Sequence, residues 1–228
     1  MSFEVAEKVA FSEDFDRETV AVACLVLTYQ QLNDSKEEHL IDKLIEAASE
    51  GKSTHITSYL LTLASFFNHN NHYGQAHRRD STALARKLVE SQLFEKLCEM
   101  VTYSPLKTDS IAFRTLMLIE NICSEAPLLT DKIATIIDQF LSILSRSEFY
   151  PSDEPETLVV IPSFLHHVSL KEGNVRNKVM TSGVLKALIG IYSLDKFVKI
   201  LSLNHHAEPI AQFFGSINRF LINIPACR

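Results

Sequence analysis

LFEKLCEMV (Leu93–Val101), IIDQFLSIL (Ile136–Leu144) and VLKALIGIY (Val184–Tyr192) align without gaps, and their reading decides the fold. In each, apolar residues recur three and four positions apart. That spacing places them on one stripe of a helix, because a turn takes 3.6 residues. The middle segment is the clearest, with Ile133, Ile136, Ile137, Phe140, Leu141 and Leu144 in a single row. Each segment is followed by a second apolar helix: TLMLIENIC ending at Cys123, IPSFLHHVS ending at Ser169 and SINRFLINI ending at Ile224.

The three starts, at 93, 136 and 184, lie 43 and 48 residues apart. LIDKLIEAA from Leu40, followed by SYLLTLASFF from Ser58, adds a looser fourth unit 53 residues upstream. Paired helices repeating every forty-odd residues are the mark of an α-solenoid, in which each repeat buries its apolar face only against its neighbours. Further helices are expected near residues 16 to 32, 54 to 68, 81 to 90, 92 to 102, 110 to 124, 157 to 169, 177 to 193 and 207 to 223. Another runs from a Ser35/Glu38 capping box to Gly51. No stretch alternates with the period of two that a half-buried strand requires.

Composition agrees. The 228 residues include 6 Gly and 7 Pro, about half their usual combined share, too few for the tight reversals of a many-stranded β fold. The polar breaks between helices are short, so residues 1–228 read as one helical-repeat domain, either whole or a stretch of a longer solenoid. The final helix carries Phe220, Leu221, Ile222 and Ile224, where a terminal repeat ordinarily turns a polar face outward. That leaves room for a further repeat, self-association or a partner at that end.

LVESQLFEKLCEMV from Leu88 resembles the armadillo pattern in which a short helix ends at a turn and the next begins with an apolar pair. LMLIENICSEAP from Leu116 is similar to the third armadillo helix, where Asn precedes an apolar residue. NKVMTSGVLKALIGIY from Asn177 repeats the first pattern, with Gly183 where such units turn. The resemblance is to the armadillo/HEAT-type superfamily. It implies an all-α, right-handed superhelix whose third helices line a concave groove that holds an extended peptide or a partner domain. In relatives of the importin-α and β-catenin type, a ladder of Asn residues clamps the peptide. Here Asn121 matches the ladder; Phe66, His167 and Asn218 occupy the equivalent helices, and the chain has no Trp to flank it.

Charge narrows the partner. Lys and Arg number 22 against 28 Asp and Glu, for a net charge of −6, the wrong sign for a chain that neutralises phosphates. The longest apolar run, Val20–Leu27, has eight residues, far short of the roughly 20 that span a bilayer. The N-terminal residues lack a secretory pattern. These features predict a protein of the cytosol or nucleus. The scattered Cys24, Cys98, Cys123 and Cys227 then read as reduced thiols.

Chemistry is sparsely marked. His69, His72 and His77 with Asp80 carry imidazole and carboxylate groups suited to a first-row metal, which defines one alternative, a metal-dependent enzyme using that loop. The Asn-rich surroundings favour a solvated loop instead. His166 with His167 and His205 with His206 are adjacent pairs whose rings diverge by about 100° on a helix and cannot share an ion. Gly51-Lys52-Ser53 resembles the end of a phosphate loop, but Glu46 stands where the motif needs Gly. Arg78, Arg79, Arg86 and Lys87 form a basic concentration diluted by Asp80 and Glu90. No cofactor is implied.

The leading expectation is a non-enzymatic scaffold or adaptor that binds another protein, peptide or domain, in its groove. A second alternative is a chaperone cofactor or assembly factor gripping a folded domain. Arg114 and Asn121, two turns apart, share one helix face; the armadillo resemblance implies that this face is the groove, which makes them the expected partner-binding residues, with His167 and Asn218 following in later repeats. Leu97, Leu116, Ile137, Phe140, Leu188 and Phe213 are the expected core.

Overall fold

A computed structural model describes residues 1–29, 34–50, 54–67, 81–101, 110–125, 131–146, 164–165, 174–184 and 215. Among these residues the protein is all-helical, with nine helices and no strand. They are α1 (Phe3–Ala10), α2 (Arg17–Tyr29), α3 (Asp34–Ser49), α4 (Ile56–Ser65), α5 (Ser81–Glu90), α6 (Leu93–Val101), α7 (Ile111–Glu125), α8 (Asp131–Leu144) and α9 (Asn174–Thr181). The chain divides into two compact units, Met1–Met100 and Val101–Arg228.

In the first unit α1 packs on α2, α2 on α4 and α3 on α4. Short polar side chains set the helix starts. Ser2 accepts from the Val5 N–H at 3.4 Å, and Asp16 accepts from the Thr19 N–H at 2.8 Å and from its hydroxyl at 2.9 Å. Each occupies a donor that a helix N-terminus would otherwise leave unmatched. The Thr19 N–H bond, reinforced by the hydroxyl, holds the Asp16 carboxyl below its usual range.

Tyr59 locks α4 against the end of α1. Its hydroxyl donates to the Ala10 carbonyl at 2.9 Å, a buried bond between residues 49 apart in sequence. Its ring stacks on Phe11 with centroids 5.6 Å apart, and His55 meets it edge-on at 6.5 Å. The first unit's core also holds the buried Leu60, Leu63 and Phe66 of the α4 region, Val20 and Leu27 of α2, and Leu40 and Leu44 of α3. Buried hydroxyls are satisfied locally, as for Thr62, which donates to the Ser58 carbonyl at 2.8 Å.

α1 was not among the helices expected from the sequence. Its buried residues are Ala6 and Ala10, which give little apolar contrast. α3 begins at Asp34, so Ser35 lies inside the helix instead of capping it. Leu97, Leu116, Ile137 and Phe140 are buried as expected. Leu188 and Phe213 lie outside the described residues.

Two corners share one hydrogen-bond pattern. Between α5 and α6, the Ser91 N–H reaches the Lys87 carbonyl at 3.1 Å, its hydroxyl donates to the Leu88 carbonyl at 2.7 Å, and that same oxygen accepts from the Leu93 N–H at 3.3 Å. After α9, Ser182 repeats all three: its N–H to the Lys178 carbonyl at 2.9 Å, its hydroxyl to the Val179 carbonyl at 3.0 Å, and the Val184 N–H back to its oxygen at 3.4 Å. Leu93 and Val184 are the first residues of two of the aligned segments. At the second corner Gly183 has φ +81°, a left-handed conformation that a side chain would strain.

A Lys–Asp ion pair accompanies each corner. Lys87 reaches Asp42 at 2.7 Å, and Lys178 reaches Asp138. Both lysines stand six residues before an aligned segment, and both aspartates are third in the preceding aligned segment of their own unit. The same side-chain types thus join an aligned helix to the helix that precedes the next aligned segment, once in each unit.

Candidate functional site

α7 carries Arg114 and Asn121. It starts at Ser110, whose hydroxyl oxygen accepts from the Phe113 N–H at 3.1 Å and whose carbonyl accepts from the Arg114 N–H at 3.0 Å. From there the helix is deeply embedded: Ala112, Phe113, Thr115, Leu116, Leu118, Ile119, Ile122 and Cys123 are all buried. The one polar side chain among them, Thr115, donates to the Ile111 carbonyl at 2.7 Å.

What remains half-exposed is narrow. Arg114, Met117 and Asn121 are spaced by three and four residues, so they form a strip along the side of the helix away from the buried stripe, with Glu120 at its edge. Arg114 lies along this strip, with Nη1 3.7 Å from the Met117 sulfur and its guanidinium carbon 5.6 Å from the centre of the Phe113 ring. The guanidinium therefore rests on soft, polarisable surface. Arg114 and Asn121 together supply amide and guanidinium donors plus one amide acceptor, separated by about 10 Å along the axis. Such a set suits backbone carbonyls and amides of an extended chain.

The structure thus brings Arg114 and Asn121 onto one helix face. His167 and Asn218 lie outside the described residues, as do His69, His72, His77 and Asp80. Among the described residues no group of three or more His, Cys, Asp or Glu is placed to hold a metal ion, and no helix is long and apolar enough to cross a membrane. Met117, between the two expected residues, was overlooked in the sequence because methionine reads as core; its spacing of three from Arg114 and four from Asn121 was the available signal.

Cys24, Cys98 and Cys123 are buried thiols. Burial pushes Cys24 up to about 11 against a weaker opposing hydrogen bond with Thr62. Burial also pushes Cys98 up to about 11, with the Glu95 and Glu99 carboxylates adding to it. Because the thiolate is the nucleophile, neither acts as one at neutral pH. Iodoacetamide at pH 7.5 should leave both unmodified in the folded protein and label them quickly in urea, as mass spectrometry of tryptic peptides would show.

Comparison of the sequence with family models and with curated proteins gives no match. Among solved structures, the crystal structure of an engineered protein from the Northeast Structural Genomics Consortium is similar, with a TM-score of 0.58 and 16% identity over 99% of each chain. At that identity the likeness is one of fold.

Proposed function

We propose that this protein is a non-enzymatic adaptor, an armadillo/HEAT-type right-handed solenoid that holds a partner protein across the α7 face. Repetition of the Ser-hinged corner and of the Lys–Asp pair supports the solenoid reading, since repeats that share a stacking geometry reuse the same joints. The observation that carries the binding reading is the strip Arg114–Met117–Asn121: a helix embedded on its other sides presents an anchored guanidinium and a carboxamide at the spacing of two turns. Rigid helices fix that spacing before binding, which lowers the ordering cost of holding an extended segment. The partner is an extended peptide or the edge of a folded domain, and the protein works in the cytosol or nucleus.

The test replaces Arg114 and Asn121 together by Ala. Both are half-exposed, so the melting temperature should stay within about 3 °C of the parent, as for substitutions worth under roughly 0.5 kcal/mol. Capture of partners from extract of the source cells should fall by roughly tenfold or more, the effect of losing contacts worth about 1.4 kcal/mol. Undiminished capture by a folded double variant would remove the α7 face as the binding site.

A further inference from the structure

α2 is apolar on both sides. Val20, Ala23, Cys24 and Leu27 face the first unit's core and are buried. On the opposite side, Val22, Leu25 and Tyr29 stand 54%, 52% and 55% exposed. Those three continue a helical row that begins at Glu18. A helix apolar all round ordinarily has both faces covered.

The charge beside this row is one-sided. Residues 1–29 hold Glu4, Glu7, Glu13, Asp14, Asp16 and Glu18 against Lys8 and Arg17. Glu4 and Glu7 are engaged by Lys36 and Lys43 of α3, and Asp16 is committed to capping α2. Glu13 and Glu18 have no ion-pair partner among the described residues, and they stand at the head of the apolar row. An apolar row about 10 Å long, the rise of two helical turns, with uncompensated carboxylates at one end, complements an amphipathic helix that carries Lys or Arg at the end of its apolar ridge. The same carboxylates repel an acidic helix and an anionic membrane.

We propose that the outer face of α2 docks a basic amphipathic helix of a partner protein, its apolar ridge on Val22, Leu25 and Tyr29 and its cations over Glu13 and Glu18. This surface belongs to the first unit and the α7 strip to the second, and its test stands independently of that reading.

The experiment uses the full chain and two fluorescein-labelled helical peptides of about 18 residues, long enough to hold helix. One has a Leu ridge with Lys flanks, the other the same ridge with Glu flanks. By fluorescence anisotropy the Leu/Lys peptide should bind, and the Leu/Glu peptide should bind at least roughly tenfold more weakly. Leu25→Asp and Tyr29→Ala, both at exposed positions, should each weaken the Leu/Lys peptide by roughly tenfold. Glu18→Lys should weaken it and flatten its salt dependence. Circular dichroism confirms that each variant is folded; a Leu25→Asp chain that fails to fold leaves Tyr29→Ala and Glu18→Lys to decide. Equal binding of both peptides, or variants that bind like the parent, would overturn the proposal. So would sedimentation showing a dimer that Tyr29→Ala breaks, or binding to phosphatidylglycerol vesicles lost in the same variant.

Discussion

Phe140→Ala should destabilise the protein by about 3–5 kcal/mol, the range for truncating a fully buried phenylalanine. Phe140 is 1% exposed in α8 and shares its stripe with Ile136, Ile137, Leu141 and Leu144, all buried. Truncation to a methyl group removes the ring from a packed row that a short, fully engaged helix cannot easily close. Its neighbour Gln139 points outward, and Gln139→Ala should change stability by less than about 0.5 kcal/mol. Urea unfolding followed by circular dichroism measures both. A loss below about 1 kcal/mol for Phe140→Ala would mean that α8 does not pack through this stripe.

The second large effect is at Tyr59. Tyr59→Ala removes a ring stacked on Phe11 and a hydroxyl that satisfies the buried Ala10 carbonyl, and should cost about 3–5 kcal/mol. Tyr59→Phe keeps the ring and leaves only the carbonyl unmatched, so it should cost about 1–3 kcal/mol. The difference between the two variants separates packing from hydrogen bonding at the joint between α1 and α4. If Tyr59→Phe cost as much as Tyr59→Ala, the hydroxyl and not the ring would hold that joint.

Much of the helical content was legible because long apolar side chains recur at helical spacing: the α8 stripe and the buried positions Leu97 and Leu116 follow directly from it. α1 escaped because its buried face is made of Ala6 and Ala10, which contribute contact without hydropathy contrast; Ser2 two residues before Glu4 was the signal that marked its start. α3 begins two residues earlier than a Ser35 cap would place it, since the polar run before Leu40 offers several residues that begin helices and sequence alone does not rank them. The shared face of Arg114 and Asn121 followed from helix geometry. The Lys87–Asp42 and Lys178–Asp138 pairs did not, because each joins residues at least 40 apart. Laying the aligned segments over one another would have revealed them, as both lysines and both aspartates fall at matching positions in the repeat.

The most direct test places a photo-crosslinking amino acid at Met117, between Arg114 and Asn121, and at Gln139 on the exposed side of α8, each in the full chain expressed in its source cells. The account predicts a covalent adduct with a partner at position 117 that disappears when Arg114 and Asn121 are also replaced by Ala, and no such adduct at position 139. An adduct at 117 that survives the double replacement, or labelling at 139 with none at 117, would contradict it.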